Sequence, residues 1–281
     1  MTGLFLETRN LSKLPRGNEM ANDNVICEIK GTTGYITLNR PAALNAIDRE
    51  TVDRLVDALT QCKRDSACRA VIVAGAGGKA FSVGADINMF IDSRQEPFGG
   101  REWSRYGQAG MRVFDSLGKP SIAALDGLVM GGGLEIALAC TFRIASENSQ
   151  FGLPEIRVGI MPGWGGTQRL VQLIGRARAA ELILTGTSID SAEAYRIGLI
   201  NRMVRPEKVL SACEGLANTI AQNAPLAVDL ALEALGHAGN IPLEQGLLLE
   251  SNLAGLLCLT EDADQGIKSF MERKKPVFNG R

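Results

Sequence analysis

Short apolar runs alternate with polar breaks over the first two thirds of the chain. Residues 25–29 and 34–38 are β-prone runs joined by Lys30-Gly31-Thr32-Thr33, which predicts a hairpin ended by Asn39-Arg40-Pro41. Asp48 then stands where a helix cap would, ahead of Val52, Leu55, Val56 and Leu59 at i, i+3, i+4, i+7. Residues 70–74 read as a buried strand that stops at Gly75-Ala76-Gly77-Gly78. A loop leads to Phe81, and a polar, partly helical stretch runs from Ile87 to Leu117. Residues 121–125 read as a strand, Gly131-Gly132-Gly133 as a turn opening an apolar helix, and 141–145 as a strand again. Strand, glycine turn, helix, strand recurs without a visible sequence repeat. That order predicts an α/β domain with its sites at strand-to-helix turns.

From Pro206 onward the strands stop, and 209–220, 226–235, 243–257 and 262–272 read as helices. Leu247, Leu248, Leu249, Leu253, Leu256 and Leu257 offer more apolar surface than one helix needs, which points to an interface between subunits. The expected organisation is a loose N-terminal extension over 1–20, an α/β core over 21–208 and a helical oligomerisation region over 209–281.

Composition narrows the function classes. Lys+Arg 30 against Asp+Glu 31 leaves a net charge of −1, so no basic excess points to nucleic acid or an anionic membrane. No apolar run approaches the ~18 residues of a membrane span. The cysteines Cys27, Cys62, Cys68, Cys140, Cys213 and Cys258 lack C-x-x-C spacing, and His237 is the only histidine. Neither a disulfide scaffold nor a zinc site is expected, and His237 reads as a surface helix residue. Residues 1–19 lack the apolar core of a signal peptide and read as a loose or alternative-start extension. A cytoplasmic protein is expected.

Gly is 32 of 281 residues, and the excess is clustered. Gly84-Ala85-Asp86-Ile87 is the first cluster, where small residues let backbone N–H groups approach a ligand and Asp86 can cap a turn. Gly131-Gly132-Gly133-Leu134-Glu135 is the second. Glycines opening a helix expose unpaired N–H groups at its positive end, which suits an oxyanion, and the pattern is neither a Walker loop nor G-x-G-x-x-G. Glu135 sits in a helix apolar around most of its circumference, where a carboxylate costs several kcal/mol unless paired or functional. A structural pairing with Arg143 or another arginine is the alternative. The third cluster holds Glu155, followed by Gly159-Ile160-Met161-Pro162-Gly163-Trp164-Gly165-Gly166, a second glycine turn opening a helix. For Glu155 the alternative is a salt bridge to Arg157 or Arg143, and Trp164 reads equally as core packing or substrate wall. Two semi-buried carboxylates beside two glycine turns are the parts needed for proton transfer next to a stabilised oxyanion.

With these motifs, and with Leu38-Asn39-Arg40-Pro41, Ala43-Leu44-Asn45-Ala46, Phe81-Ser82-Val83-Gly84-Ala85-Asp86-Ile87 and Pro162 through Leu170, the chain from about residue 24 to 278 closely resembles the enoyl-CoA hydratase/isomerase (crotonase) family. The resemblance implies a crotonase-like spiral of ββα turns over the core, with a C-terminal helical trimerisation region assembling as a homotrimer or a dimer of trimers. It implies that the N–H groups of Ala85 and Gly132 form an oxyanion hole for a thioester carbonyl. Glu135 and Glu155 match the hydratase acid pair, and Gly163 the position near the catalytic water or carboxylate. Ala43, Leu44, Ala85, Asp86 and Ile87 match positions that bind CoA, and Phe270 and Arg273 tail positions that reach the CoA of a neighbouring subunit. Val83 stands where many relatives have alanine, and the segment between Ala85 and Gly131, which contributes to the acyl pocket, is a few residues long. The implied activity is hydration of a trans-2-enoyl-CoA to a 3-hydroxyacyl-CoA. CoA arrives with the acyl-CoA thioester substrate, and no other cofactor, metal, nucleic acid or membrane is expected. The alternatives are a Δ3,Δ2-enoyl-CoA isomerase, for which one carboxylate suffices, and a non-catalytic acyl-CoA-binding or RNA-binding relative.

Overall fold

The computed structural model describes residues 23–281; the expectation for residues 1–20 lies outside them. The predicted hairpin forms as β1 (Val25–Lys30) and β2 (Thr33–Leu38), antiparallel, with Val25 opposite Leu38. Helix α1 (Arg49–Arg64) follows, and the Asp48 carboxylate accepts the Thr51 amide at 2.8 Å as its N-cap. Next come β3 (Ala70–Gly75), β4 (Ala80–Ser82), α2 (Ile87–Ser93) and α3 (Gly99–Asp115), so the stretch expected to be partly helical is two helices. Then β5 (Ser121–Leu125), β6 (Leu128–Met130), α4 (Gly132–Ala139), β7 (Phe142–Ser146), β8 (Gln150–Gly152) and α5 (Gly166–Ile174) follow in order.

These strands divide between two sheets. The first has the order β1-β2-β3-β5-β7-β10, closed by β10 (Arg202–Val204), and is parallel from β2 onward. The second has the order β4-β6-β8-β9, where β9 (Ser188–Asp190) is the antiparallel edge. Each repeat therefore places a long strand in one sheet, turns, places a short strand in the other, and continues into a helix. This is the expected ββα spiral, with mixed α/β content and largely parallel sheets.

The inner strands β3 and β5 of the first sheet are buried on both faces, which explains why they read as unbroken apolar runs. Val71, Val73, Ala123 and Leu125 face the larger core with α1, α3 and α4. Ala70, Ile72, Ile122 and Ala124 face a second core, and the residues that cover them are Val209, Cys213 and Ala217 of α8 (Val209–Ala221). The first helix of the expected tail thus lies on the sheet. Helices α6 (Arg176–Thr185) and α7 (Ser191–Arg196) lie between α5 and β10. Helices α9 (Pro225–His237), α10 (Leu243–Leu257) and α11 (Glu261–Met271) complete the chain. On α10 Leu253 turns inward, while Leu247, Leu248 and Leu256 are exposed. His237 is an exposed residue at the end of α9.

Candidate active site

The site lies where the second sheet's parallel strands end. Strands β4, β6 and β8 are neighbours running the same way, so their C-terminal ends come together. Chain leaving them carries Gly84-Ala85, Gly131-Gly132 and Leu153-Pro154-Glu155, the three clusters singled out in the sequence. Crevices at the carboxyl ends of parallel strands are the usual place for a ligand in α/β folds.

Backbone geometry there needs glycine. Gly84 has φ of +96° and Gly131 of +53°, conformations that side chains disfavour. A Cβ on Gly84 would lie 2.8 Å from the Gly132 amide nitrogen. Gly132 itself has no positive φ; its constraint is space, since a Cβ there would lie 2.6 Å from Cζ3 of Trp164 and 3.4 Å from the Ala85 nitrogen. Neither the Ala85 nor the Gly132 amide has an acceptor among the described residues. Gly132 is the first residue of α4, so its N–H is one of the helix's free donors.

Glu135 lies one turn into α4 and is 3% exposed. Its Oε1 accepts the backbone amides of Trp164 at 2.7 Å and Gly166 at 2.8 Å. Burial raises its pKa to about 7; the Gly166 amide opposes the shift, the Glu155 charge adds to it, and the Trp164 amide and Arg169 oppose it. Glu155 sits in a 3₁₀ turn, Pro154–Val158, that leaves β8. Its Oε1 is 3.2 Å from the Cβ position of Gly131, and its Oε2 is buried without a hydrogen-bond partner. Burial raises the Glu155 pKa as well.

The structural alternatives for these acids do not form. Arg143 spends its guanidinium on the carbonyls of Leu199, Ala137 and Cys140, where it closes the end of α4. Arg157 donates to the Thr185 carbonyl. No ion pair reaches Glu135 or Glu155 among the described residues.

Other expected residues are distributed around this centre. Trp164 is 4% exposed and adjoins Gly132, Glu135 and α3. Gly163 turns its carbonyl to Ser104 Oγ at 2.6 Å and Gln108 Nε2 at 2.8 Å, so the amides that bond Glu135 come from the residues after it. Asp86 caps α2 through the Asn88 amide and pairs with Arg40 at 3.1 Å. Burial opposes its ionisation, but the Asn88 amide and Arg40 hold its pKa below the usual value. Arg40 also pairs with Asp48 and donates to the Ala46 carbonyl, while the Asn45 carboxamide bonds the Ala76 and Ala80 carbonyls. These bonds fasten the Ala43-Leu44 turn beside Val83, whose amide donates to the Leu44 carbonyl at 3.2 Å. Ala43 is exposed, and Ile87 is 61% exposed at the start of α2. Phe270, 85% exposed on α11, and Arg273, just beyond it, share no hydrogen bond or ion pair with this centre among the described residues.

Helix α3 contributes residues that sequence reasoning passed over. Trp103, Ser104, Gly107 and Gln108 face the Gly163-Trp164 turn. The available signal was Gly107 and Gly110 inside a helical stretch, where each glycine costs about 1 kcal/mol relative to alanine and marks a close approach.

Residues 28–281 match the enoyl-CoA hydratase/isomerase family profile. A short-chain-enoyl-CoA hydratase from Clostridium acetobutylicum is 40% identical over 256 residues, covering 91% of this chain and 97% of that protein. A crotonyl-CoA hydratase from Syntrophomonas wolfei is 38% identical over 260 residues, covering 92% and 99%. Among solved structures, an enoyl-CoA hydratase from Bacillus anthracis superposes with a TM-score of 0.87 at 36% identity, covering 92% of this chain and 100% of that one.

Proposed function

The chain belongs to the enoyl-CoA hydratase/isomerase family, and from that premise we propose that it is a hydro-lyase adding water to a trans-2-enoyl-CoA to give a 3-hydroxyacyl-CoA in acyl-CoA degradation. The observation that carries this reading is the pair of carboxyl groups, Glu135 and Glu155, both with raised pKa, beside one glycine turn. The thioester oxygen accepts the free amides of Ala85 and Gly132. As water attacks C3 that oxygen gains enolate charge, and each preorganised donor contributes about 3–4 kcal/mol. Glu135, its Oε1 held by two amides, orients the water and takes its proton. Glu155, whose pKa burial raises, gives the proton to C2. On this reading their titrations are linked through the Glu155 charge, which helps raise the Glu135 pKa. Because addition of water is redox-neutral and the oxyanion is met by amides, the chemistry calls for no cofactor besides the CoA that the substrate carries.

An isomerase needs only one carboxylate to shuttle a proton, so a second, half-buried acid favours hydration. Ala43, Leu44, Ala85, Asp86 and Ile87 lie on the side we assign to CoA, with Asp86 acting through Arg40 to hold the loop. The protein is proposed to work in the cytoplasm as a homotrimer or dimer of trimers, in which Phe270 and Arg273 reach a neighbour's CoA. No helix among the described residues is long and apolar enough to cross a membrane. The test is spectrophotometric hydration of crotonyl-CoA beside isomerisation of a 3-enoyl-CoA. Wild-type hydration at background would end the hydratase reading.

A further inference from the structure

Two glycines hold one indole. A Cβ on Gly132 would lie 2.6 Å from Trp164 Cζ3, and a Cβ on Gly107 would lie 2.1 Å from Trp164 Nε1. The Trp164 ring thus fills the gap between α3 and α4 and closes against backbone on both sides. Trp103 stands behind it edge-on, with centroids 5.3 Å apart at 75°. Trp103 is itself stacked on Tyr106 at 5.9 Å, and the Arg49 guanidinium lies 4.2 Å from the Tyr106 ring centre. Both indoles are nearly fully buried, at 5% for Trp103 and 4% for Trp164.

The wall stands next to the reacting atoms. The Trp164 amide bonds Glu135 and its ring edge adjoins the Gly132 turn. A thioester carbonyl held at the Gly132 amide would have this ring beside its acyl chain. The ring has no room to retreat, because α3 has already given up its side chain at Gly107 to admit it.

We propose that Trp164, backed by Trp103 and seated on Gly107, is the specificity-determining wall of the acyl pocket and restricts this enzyme to short acyl chains. The proposal rests on the hydratase reading for its orientation of substrate. Its consequence is a steep fall in kcat/KM with chain length, because an apolar pocket discriminates by roughly 10–200-fold for each methylene it cannot house.

The experiment measures kcat/KM for four-, six-, eight- and ten-carbon trans-2-enoyl-CoA thioesters, and Kd for saturated butyryl-CoA and octanoyl-CoA. Wild type, Trp164→Ala, Trp164→Phe and Trp103→Phe are compared, each checked for native melting. Trp103→Phe is the gentlest variant, since the Trp103 indole N–H has no partner to lose. Wild type should prefer four carbons to eight by about tenfold or more. Trp164→Ala should raise the eight-to-four ratio by about tenfold or more, and the two phenylalanine variants should move it the same way by less. Equal wild-type rates on four and ten carbons, or a ratio unmoved in every folded variant, overturns the wall. Absence of hydration with butyryl-CoA bound far more tightly than octanoyl-CoA would overturn the hydratase reading and leave the wall standing. Absence of hydration with equal affinities would overturn both.

Discussion

The backbone amide of Trp164 donates to Glu135 Oε1 at 2.7 Å. This bond ties the helix after one glycine turn to the loop before the other. The carboxylate that we assign as base is therefore positioned by the same residue whose ring we assign to the acyl wall.

Glutamine is nearly isosteric with glutamate but does not exchange a proton as a carboxylate does. Glu135→Gln and Glu155→Gln should each lower kcat for crotonyl-CoA hydration by on the order of 10²–10⁴. The double variant should lose far less than the product, as groups acting as a unit do. In Glu155→Gln the residual activity should also keep its acid limb at lower pH, because the neighbouring charge that helps raise the Glu135 pKa is gone. A pH profile unchanged in position would show that the two acids do not sense each other.

Glu135 should cost stability where it ionises. Its pKa in the fold, about 7, lies above the ordinary 4.5. Below about pH 4.5 the folded and unfolded chains both hold the proton. As pH rises from there through about 7, the unfolded chain releases a proton that the native site retains, and stability falls. Glu135→Gln escapes this, so its advantage in denaturant midpoint should grow across that window and level off above it at roughly 1–3 kcal/mol. Equal stability of the two proteins at pH 8 would contradict the burial argument.

Gly132 tests the oxyanion assignment. Its φ is not positive, so a substitution there acts by filling space against Trp164 and the thioester rather than by straining the turn. Gly132→Val should reduce turnover by roughly 10²-fold or more. Unchanged turnover in the folded variant would place the oxyanion elsewhere.

Arg143 has a structural role. It is buried and serves three carbonyls, including two at the end of α4. Arg143→Met should lower unfolding free energy by roughly 2–4 kcal/mol, since buried carbonyls lose their donor. A denaturation series reads this directly, and no change would mean that water replaces the guanidinium without penalty.

The exposed leucines of α10, with Phe270, predict association. Sedimentation should report a trimer or a dimer of trimers. A stable monomer at micromolar concentration would leave Phe270 and Arg273 without a proposed role.

Long elements were legible because their periods repeat. The hairpin, α1 with its Asp48 cap and α10 carry enough residues for a pattern to be read, and β5 reads as an unbroken apolar run. The second sheet was not legible: β4, β6, β8 and β9 have three residues each, too few for any alternation. Yet that sheet assembles the site. The clusters around Ala85, Gly132 and Glu155 could be found from glycine and acid placement, but their meeting depends on short strands held by the longer ones beside them. Asp86 could be read as a cap, whereas its pairing with Arg40 across 46 positions leaves no local trace. The packing of helix α3 on Trp164 was invisible because Trp103 and Gly107 have meaning only against that ring.

The covering of the first sheet by α8 bears on how the protein is made. Ile72, Ile122 and Ile144 lie on successive long strands, but Val209, Cys213 and Ala217, which shield them, come much later in the chain. During synthesis, which adds about 5–20 residues per second, the strands emerge with one apolar face bare. That face stays open to water, or to a chaperone, until α8 has left the ribosome. Ribosome-bound chains ending before α8 should therefore be sticky, and the finished core is an event of the last quarter of translation.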